Sequence, residues 1–378
     1  MAISDLFYID SLGKLAQLVE TPDSYTVELA TASESDLVIK TLPDYLTHNV
    51  IVVDSVNSGI GRSDGKSIYN TVLSPLFKLF SLNHSYFATT SPSSIGNLAK
   101  NLQPGVEHTL IFISGDTSIN EFVNNLPKQS EDVTKSIVNI FPIPAGTGNA
   151  LALSLNLTDI ASSIRKLFAS TAHDLNLYQA KLPVGSYYCR DDEKIPIEDL
   201  VNFLVVLSWG FHASLVADSD TPELRKFGLD RFQIAAKNNL SRDQIYPGSY
   251  KIDDKIYQGD FSYWVLTPSN RFEPKFVILP KGNILEPNLY IISFKTDADI
   301  MEVMAQVYDN GAHINNPKVT YEKVEHSITL KTITKDYLQR RFCIDGAILA
   351  LPESDEQQTI NINVLGNIHN DWTLKILS

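Results

Sequence analysis

A carboxylate follows directly after a strongly apolar stretch in the segment S-G-D-T-S-I-N-E, residues 114–121. The preceding run, 109–113, is typical of a buried parallel strand, and 120–123 is typical of the first turns of a helix. Gly115 and Asp116 are therefore predicted to lie on the turn between these elements. Ligands of open α/β sheets bind at the carboxyl ends of strands, which makes Asp116 a candidate for chemistry. An Asp beside a Gly is also common in ordinary turns, so the segment alone does not decide the function.

Two further glycine turns follow predicted strands. The turn S-G-I-G at 58–61 comes after the strand predicted at 49–54, and the turn G-T-G-N at 146–149 comes after the strand predicted at 136–143. Backbone N–H groups in such turns, together with the dipole of a following helix, favour a phosphate. Each turn by itself has an ordinary packing explanation. Three of them at successive strand ends are much stronger evidence of phosphate binding.

The first glycine turn is not a Walker A loop. That motif requires four residues between its first glycine and the Gly-Lys-Ser sequence, which here occupies 65–67. Gly59 leaves five residues before Gly65, and Gly61 leaves three. The spacing therefore disfavours a P-loop NTPase.

Strands that alternate with helices over residues 1–155 predict an α/β domain with a mainly parallel, doubly wound sheet, preceded by a few strands within 1–47. Residues 156–378 predict a mainly antiparallel, β-sandwich-like domain with a helix near 222–239, and its last strands could return to the first domain. Its predicted strands lie at 174–182, 200–209, 248–257, 262–268, 289–295, 326–334, 342–351 and 359–365. We expect phosphate binding in the first domain, which contains the three glycine turns.

Composition narrows the class of protein. A chain of 378 residues that is 43% hydrophobic can bury a large core, and its net charge of -13 disfavours non-specific binding to nucleic acid. Only two cysteines are present, and no apolar run approaches the roughly 18 residues of a membrane span. The N-terminus lacks a charged segment followed by a long apolar one. We therefore expect a cytoplasmic protein without a disulfide framework.

The order of three motifs resembles the catalytic domain of the diacylglycerol kinase and sphingosine kinase family. These motifs are N-S-G-I-G-R at 57–62, S-G-D-T-S-I-N-E at 114–121 and P-A-G-T-G-N-A-L-A at 144–152. Three later segments are similar to the lipid-site segment and the D-G-E block of sphingosine kinases. They are L-S-W-G-F at 207–211, the stretch 217–232 with its A-D-S-D and L-R-K-F-G-L-D-R-F sequences, and F-C-I-D-G at 342–346.

The resemblance implies a two-domain lipid kinase with ATP and Mg²⁺ between the domains and a lipid tail in the β domain. Asp116 would act as the general base for the lipid hydroxyl. Trp209, Phe211 and Asp218 would contact the lipid substrate. The residues that would bind the nucleotide are Ser58, Gly59, Gly61, Ser114, Gly115, Thr117, Glu121, Gly146, Thr147, Gly148, Asn149, Arg225, Arg231, Asp345 and Gly346. The residues that would hold the metal stay unassigned.

Several positions depart from the family pattern and leave alternatives open. Thr117 stands where the family has a third glycine, and a positive φ there would be costly for a β-branched residue. Ala347 replaces the glutamate of the D-G-E block. The family's amine-recognising Asp falls on Asp218 when counted from Gly228, but on Val216 when counted from Trp209. The predicted function is phosphorylation of a long-chain sphingoid base such as sphingosine, with transient membrane contact. The alternatives are a lipid-binding pseudokinase and a kinase acting on diacylglycerol or ceramide.

Overall fold

The computed structural model describes residues 1–31, 35–59, 61–130, 136–190 and 193–378. The chain divides into two compact units, and each is described by itself. The first unit comprises Met1–Gly146, Leu155–Leu175 and Asn367–Ser378. The second comprises Thr147–Ser154 and Asn176–Gly366. The roles predicted for 1–155 and 156–378, nucleotide binding and lipid binding, are not decided by this division and stay predictions.

Strands and helices are numbered in chain order. The strands are β1 (Ala2–Ile9), β2 (Lys14–Glu20), β3 (Tyr25–Ala30), β4 (Val38–Ile39), β5 (Asn49–Asp54), β6 (His84–Ala88), β7 (Glu107–Ser114), β8 (Ser136–Pro144), β9 (Ala172–Asp174), β10 (Leu177–Lys181), β11 (Tyr187–Arg190), β12 (Glu193–Pro196), β13 (Leu200–Phe203), β14 (Leu207–Gly210), β15 (Tyr246–Ile252), β16 (Lys255–Thr267), β17 (Arg271–Glu273), β18 (Phe276–Val277), β19 (Leu289–Lys295), β20 (Thr320–Val324), β21 (Ser327–Thr334), β22 (Arg341–Ile344), β23 (Ala347–Ala350), β24 (Ser354–Gly366), β25 (Ile368–His369) and β26 (Trp372–Leu377). The helices are α1 (Ser74–Leu79), α2 (Ser94–Lys100), α3 (Asp116–Asn124), α4 (Ala150–Ser154), α5 (Ile160–Leu167), α6 (Phe211–Ser219), α7 (Pro222–Arg225), α8 (Asp230–Asn239) and α9 (Ile300–Tyr308).

The main sheet of the first unit has the strand order β6-β5-β7-β8-β26, and these neighbours all pair in parallel. Short strands β9 and β25 add antiparallel pairings to β26. The predicted mainly parallel sheet is therefore present. The chain order reverses between β5 and β7, because β6 lies on one side of β5 while β7 and β8 follow on the other. Open α/β sheets bind ligands outside the carboxyl ends of strands at such a reversal.

Strands β5 and β7 are buried almost throughout, which explains their continuous apolar sequences. The strands expected within 1–47 form a separate sheet of order β3-β2-β1-β4. This small sheet packs against α5 and the residue that follows it. Arg165 Nη1 donates to Leu6 O at 2.7 Å, and the ring centroid of Phe7 lies 4.7 Å from that of Phe168. The N-terminal strands thus belong to the first unit.

The second unit is built on a 13-stranded sheet of order β12-β11-β23-β22-β14-β16-β15-β21-β24-β10-β13, with β19 and β20 added beside β16. Every pairing described in it is antiparallel. A buried cluster that includes Tyr178, Trp209, Trp264 and Phe342 forms its core. The predicted β-rich, mainly antiparallel region is confirmed, whereas its sandwich-like form stays a prediction.

Some expected boundaries were wrong. The single strand predicted at 200–209 is two strands, β13 and β14, and the one predicted at 342–351 is the β22–β23 hairpin. Helices α6 and α9 were not predicted. Helix α6 has the sequence F-H-A-S-L-V-A-D-S, in which apolar and small residues occupy all sides and give no clear 3.6-residue period. Among the described residues, no helix is both long enough and apolar enough to cross a membrane.

Candidate functional site

The carboxyl ends of β5, β7 and β8 lie side by side in the first unit. Ser55 N donates to Ile113 O at 3.1 Å, and Ala145 N donates to Ser114 O at 3.2 Å. The first bond joins the residue after β5 to the penultimate residue of β7, and the second joins the residue after β8 to the last residue of β7. The three turns predicted to bind phosphate therefore begin at one edge of the sheet, at the reversal of strand order.

The loop after β5 needs both of its glycines. Gly59 has φ +67° and Gly61 has φ +79°, in the left-handed region that favours glycine. A Cβ on Gly59 would lie 3.0 Å from Ala145 O, so a side chain there would also collide with the loop after β8. Two turns coil the segment, because Ser58 N donates to Ser55 O at 2.9 Å and Gly61 N to Ser58 O at 3.2 Å. Ile60 lies outside the described residues.

Asp116 occupies a different local position from the one predicted. It is the first residue of α3, which begins at Asp116 rather than near Asn120, and Gly115 is its N-cap. A half-buried carboxylate in the first turn is favoured by the helix dipole. Its place after β7, next to the other two loops, is the place that a catalytic base of this site would need.

Thr117 is the second residue of α3 and has an ordinary helical backbone rather than a positive φ. The strain considered from the sequence therefore does not arise, because a β-branched residue can adopt this conformation. Ser114 ends β7 and is buried, with its Oγ 3.1 Å from Gly115 O. Glu121 accepts a hydrogen bond from Gly96 N at 3.3 Å and so links α3 to α2. Contacts of these residues with a nucleotide stay predictions.

A hydrogen-bonded group that sequence reasoning missed lies at the end of β5. Arg62 Nη2 donates to Asp54 Oδ1 and, at 3.1 Å, to Ser55 O. Tyr86 on β6 donates its hydroxyl to Asp54 Oδ2 at 3.1 Å. The signal was present in the sequence, since Asp54 ends the predicted strand and Arg62 ends the first motif.

The turn 146–149 crosses the division between the units, because Gly146 belongs to the first unit and Thr147 to the second. Within the second unit, Thr147, Gly148 and Asn149 lead into α4, and Leu153 N donates to Asn149 O at 2.8 Å. Among the described residues, no heavy atom other than those of Gly148 and its chain neighbours lies within 4 Å of the position that a Cβ on Gly148 would occupy. Open space there leaves the backbone accessible to a ligand.

Arg225 and Arg231 share one carboxylate in the second unit. Arg225 binds Asp220 through Nε at 3.0 Å and Nη2 at 3.1 Å, and Arg231 Nη1 donates to Asp220 Oδ1 at 3.1 Å. Burial lowers the pKa of Arg231, and the negative charge of Asp220 offsets part of this shift. Two guanidinium groups on one carboxylate leave a net positive charge, as a phosphate-binding position requires.

Asp218 lies in α6 and is already paired. Arg341 Nη1 donates to it at 2.5 Å, Arg242 Nη2 at 2.6 Å and Asn239 Nδ2 at 2.9 Å. Burial alone would raise the pKa of Asp218, but Arg341, and then Arg242 and Asn239, outweigh burial and lower it. The carboxylate predicted to recognise a lipid amine is thus neutralised by two arginines of the same unit.

Asp345 has a structural role in the second unit, and the nucleotide contacts predicted for Asp345 and Gly346 stay predictions. Its buried carboxylate accepts hydrogen bonds from the backbone N–H groups of Leu204, Val205 and Val206 at 2.7–2.8 Å. Asp345 and Gly346 both have positive φ, +46° and +87°, as the two-residue type I′ turn of the β22–β23 hairpin requires. The D-G sequence is thus accounted for by the hairpin and by the break between β13 and β14.

Trp209 and Phe211 are buried, and Trp209 belongs to the core. The indole of Trp209 stacks on Phe342 with ring centroids 6.0 Å apart, and its Nε1 donates to Gln339 O at 2.7 Å. Burial lowers the pKa of neighbouring His212 to about 4, and its Nδ1 lies 2.7 Å from Ser208 Oγ. Packing accounts for these positions, and the predicted lipid contacts of Trp209 and Phe211 stay predictions.

Within the described part of the chain, no group of three or more His, Cys, Asp or Glu residues could hold a metal ion.

Known proteins resemble this chain in both sequence and fold. Residues 50–180 match the family model described as the diacylglycerol kinase catalytic domain. Sphingosine kinase B of Dictyostelium discoideum is 30% identical over 108 residues, which cover 29% of this chain and 14% of that protein. Sphingosine kinase 1 of Homo sapiens is 24% identical over 202 residues, which cover 50% of this chain and 48% of that protein.

The chain thus spans less than half the length of either of these two relatives. The crystal structure of a diacylglycerol kinase from Bacillus anthracis str. Sterne shares the fold, with a TM-score of 0.52 and 13% identity, over 86% of this chain and 96% of that one. Residues 50–180 are thus similar to the catalytic domain of the diacylglycerol kinases, and the chain is similar in sequence to two sphingosine kinases.

Proposed function

We propose that the protein is an ATP-dependent lipid kinase that phosphorylates the primary hydroxyl of a long-chain lipid. The observation that carries the proposal is that the loops after β5 and β8 begin beside the end of β7, next to Asp116 at the start of α3. Phosphoryl transfer depends mainly on positioning and electrostatic stabilisation, which glycine loops and helix N-termini provide. The match of residues 50–180 to the diacylglycerol kinase catalytic domain supports the same chemistry.

Asp116 accepts the proton of the lipid hydroxyl as that oxygen attacks the terminal phosphorus of ATP. The backbone amides near Gly59, Gly61 and Gly146 bind phosphate oxygens from the loops after β5 and β8. Arg225 and Arg231 bind phosphate oxygens through their guanidinium groups, since a guanidinium fork suits such oxygens.

The residues present fit a nucleotide. Gly61 and Gly148 both have open space where a side chain would be, and Gly59 and Gly61 have backbone conformations that only glycine adopts readily. Mg²⁺ is held by one or two carboxylates, water and substrate phosphates in sites of this kind, so it does not need a cluster of three protein ligands. The metal would offset phosphate charge, and its protein ligands are unassigned.

Replacing Asp116 by Asn tests the proposal. The amide cannot accept the hydroxyl proton, and loss of a general base typically lowers the rate about 10²- to 10⁴-fold. Transfer of labelled phosphate from ATP to sphingosine, ceramide and diacylglycerol should be measured side by side. Asp64→Asn, which removes an exposed carboxylate of the same unit, is the matched control. Equal transfer by the wild type and the Asp116 variant would contradict the assigned mechanism.

The head group of the lipid is the second question. Resemblance to sphingosine kinases favours a sphingoid base, whose ammonium would need a carboxylate partner. Counted from Gly228, Asp218 is the carboxylate at that position in the motif, and Arg242 and Arg341 already neutralise it. A third cation near these two guanidinium groups would be repelled. This observation favours a second candidate, a lipid alcohol without an amine such as diacylglycerol or ceramide.

The same transfer assay separates the two candidates. A preference for sphingosine that disappears in Asp218→Asn would support amine recognition, which would require Asp218 to leave its arginines. A preference for diacylglycerol or ceramide would support the neutral head group. Absence of transfer to all three lipids, with retained lipid binding, would favour the pseudokinase alternative. Binding to substrate-loaded vesicles in a sedimentation assay tests the transient membrane contact.

A further inference from the structure

The first glycine loop is closed by a side chain that reaches back to the strand preceding it. Arg62 follows the loop, and its Nη2 donates to Asp54 Oδ1 and Ser55 O. The side chain of Arg62 is only 14% exposed and that of Asp54 only 4%. The ion pair therefore fixes the two ends of the loop against each other in a largely desolvated position.

Tyr86 completes the group from the edge strand β6. Its hydroxyl donates to the second oxygen of Asp54 at 3.1 Å, and its ring stacks on Tyr69 at a centroid distance of 3.8 Å. Burial, followed by the charge of Asp54, raises the pKa of Tyr86 to about 12, so the hydroxyl remains a donor at neutral pH. Both oxygens of Asp54 thus accept a hydrogen bond, one from Arg62 and one from Tyr86.

The other terminal nitrogen of Arg62 has no acceptor. Arg62 Nη1 is buried and makes no hydrogen bond within the described residues. Buried donors in native proteins nearly always have a partner, and a charged donor without one is costly. The guanidinium lies beside a loop with two left-handed glycines, at the edge where phosphate is expected. A phosphate oxygen is the acceptor that a guanidinium fork fits best.

We infer that Arg62 binds a phosphate oxygen of the nucleotide through Nη1, with Asp54 and Tyr86 as residues that position its guanidinium. The inference rests on the proposed function in so far as ATP is the nucleotide. A purely structural role, in which Arg62 holds the loop against β5, would explain its ion pair with Asp54. That role does not explain why Nη1 is buried without an acceptor among the described residues. A charge-assisted hydrogen bond corresponds to about a ten- to hundredfold change in affinity.

The experiment compares Arg62→Ala, Arg62→Lys, Asp54→Asn and Tyr86→Phe in the full chain. ADP affinity is measured by calorimetry in the presence of Mg²⁺, and KM for ATP and kcat are measured with the lipid that the wild type phosphorylates. Lys66→Ala is the matched control, since it removes a nearby positive charge whose Nζ is bonded to Glu20. Circular dichroism shows which variants are folded.

Arg62→Ala should weaken ADP binding and raise KM for ATP by about ten- to a hundredfold, with a much smaller change in kcat. Arg62→Lys should recover part of this loss, Asp54→Asn and Tyr86→Phe should show smaller losses of the same kind, and Lys66→Ala should match the wild type. A folded Arg62→Ala variant with ADP affinity within about twofold of the wild type would overturn the inference, as would a wild type that binds no ADP. If ADP binding depends on Arg62 while no lipid is phosphorylated, the inference stands and the proposed function fails.

Discussion

Replacing Asp345 should destabilise the second unit far more than it changes nucleotide binding. The Asp345 carboxylate is 1% exposed and accepts three backbone hydrogen bonds of 2.7–2.8 Å, from Leu204, Val205 and Val206. Without it, three N–H groups in the break between β13 and β14 lose their acceptor. Each such group costs about 1–3 kcal/mol, and partial entry of water reduces the sum, so we expect a loss of about 3–5 kcal/mol.

Three substitutions separate the contributions at this position. Asp345→Gly removes the carboxylate but tolerates φ +46°, and it should show the loss of about 3–5 kcal/mol. Asp345→Ala adds about 1–2 kcal/mol, because an alanine is strained in the left-handed region. Asp345→Asn keeps one acceptor oxygen and a residue that tolerates positive φ, so its loss should be about 1–3 kcal/mol.

The chain offers a matched control at Asp371. This residue also has a positive φ, +70°, in a two-residue hairpin turn, between β25 and β26, but it is exposed. Asp371→Gly should therefore change stability by less than about 0.5 kcal/mol. Denaturant unfolding followed by tryptophan fluorescence measures the stability, and hydrogen exchange reports the amides of 204–206. Equal effects of Asp345→Gly and Asp371→Gly, or unchanged exchange at 204–206, would refute the reasoning.

Three further predictions follow from the same geometry. Gly59→Ala should lower the melting temperature more than Gly61→Ala, because both have positive φ but only Gly59 would place its Cβ 3.0 Å from Ala145 O. His212→Gln should remove part of the loss of stability between about pH 6.5 and 4, since burial lowers the pKa of His212 to about 4 and the unfolded state therefore takes up the proton first. Asp218→Asn should remove part of the loss of stability below about pH 4, because the pKa of Asp218 is lowered in the folded state and its contribution disappears as the pH falls through that value. Melting temperatures measured across pH check the last two, and a pH dependence unchanged from the wild type would contradict either one.

The parallel sheet and its glycine turns could be predicted because their signals are local. An apolar run such as 109–113 is continuous where a parallel strand is buried, and glycines such as Gly59 and Gly61 stand where the backbone needs positive φ. The group at Asp54 was equally local, since Arg62 lies only eight residues away. The motif identifies Arg62 as its last residue, but it does not identify Asp54 as the partner of its charge.

The positions of Asp218 and Asp345 could not be read from the sequence, because their partners are distant along the chain. Arg341 lies 123 residues from Asp218, and Leu204 lies 141 residues from Asp345. A motif shows that a carboxylate is present, but its function depends on which donors the fold places around it. For Asp345 these donors are backbone amides. The D-G pair therefore forms the turn of a hairpin, and its buried carboxylate accepts the hydrogen bonds of residues 204–206.

The charges around α6–α8 also bear on which lipid head group this region could bind. Asp218 and Asp220 lie two residues apart, and each is shared by two arginines, Arg242 with Arg341 and Arg225 with Arg231. At each of these two carboxylates, two guanidinium groups leave a local net positive charge, in a chain whose net charge is -13. Such a region attracts phosphate oxygens and repels an ammonium. The same arrangement that supports nucleotide binding by Arg225 and Arg231 therefore argues against a cationic lipid head group at Asp218.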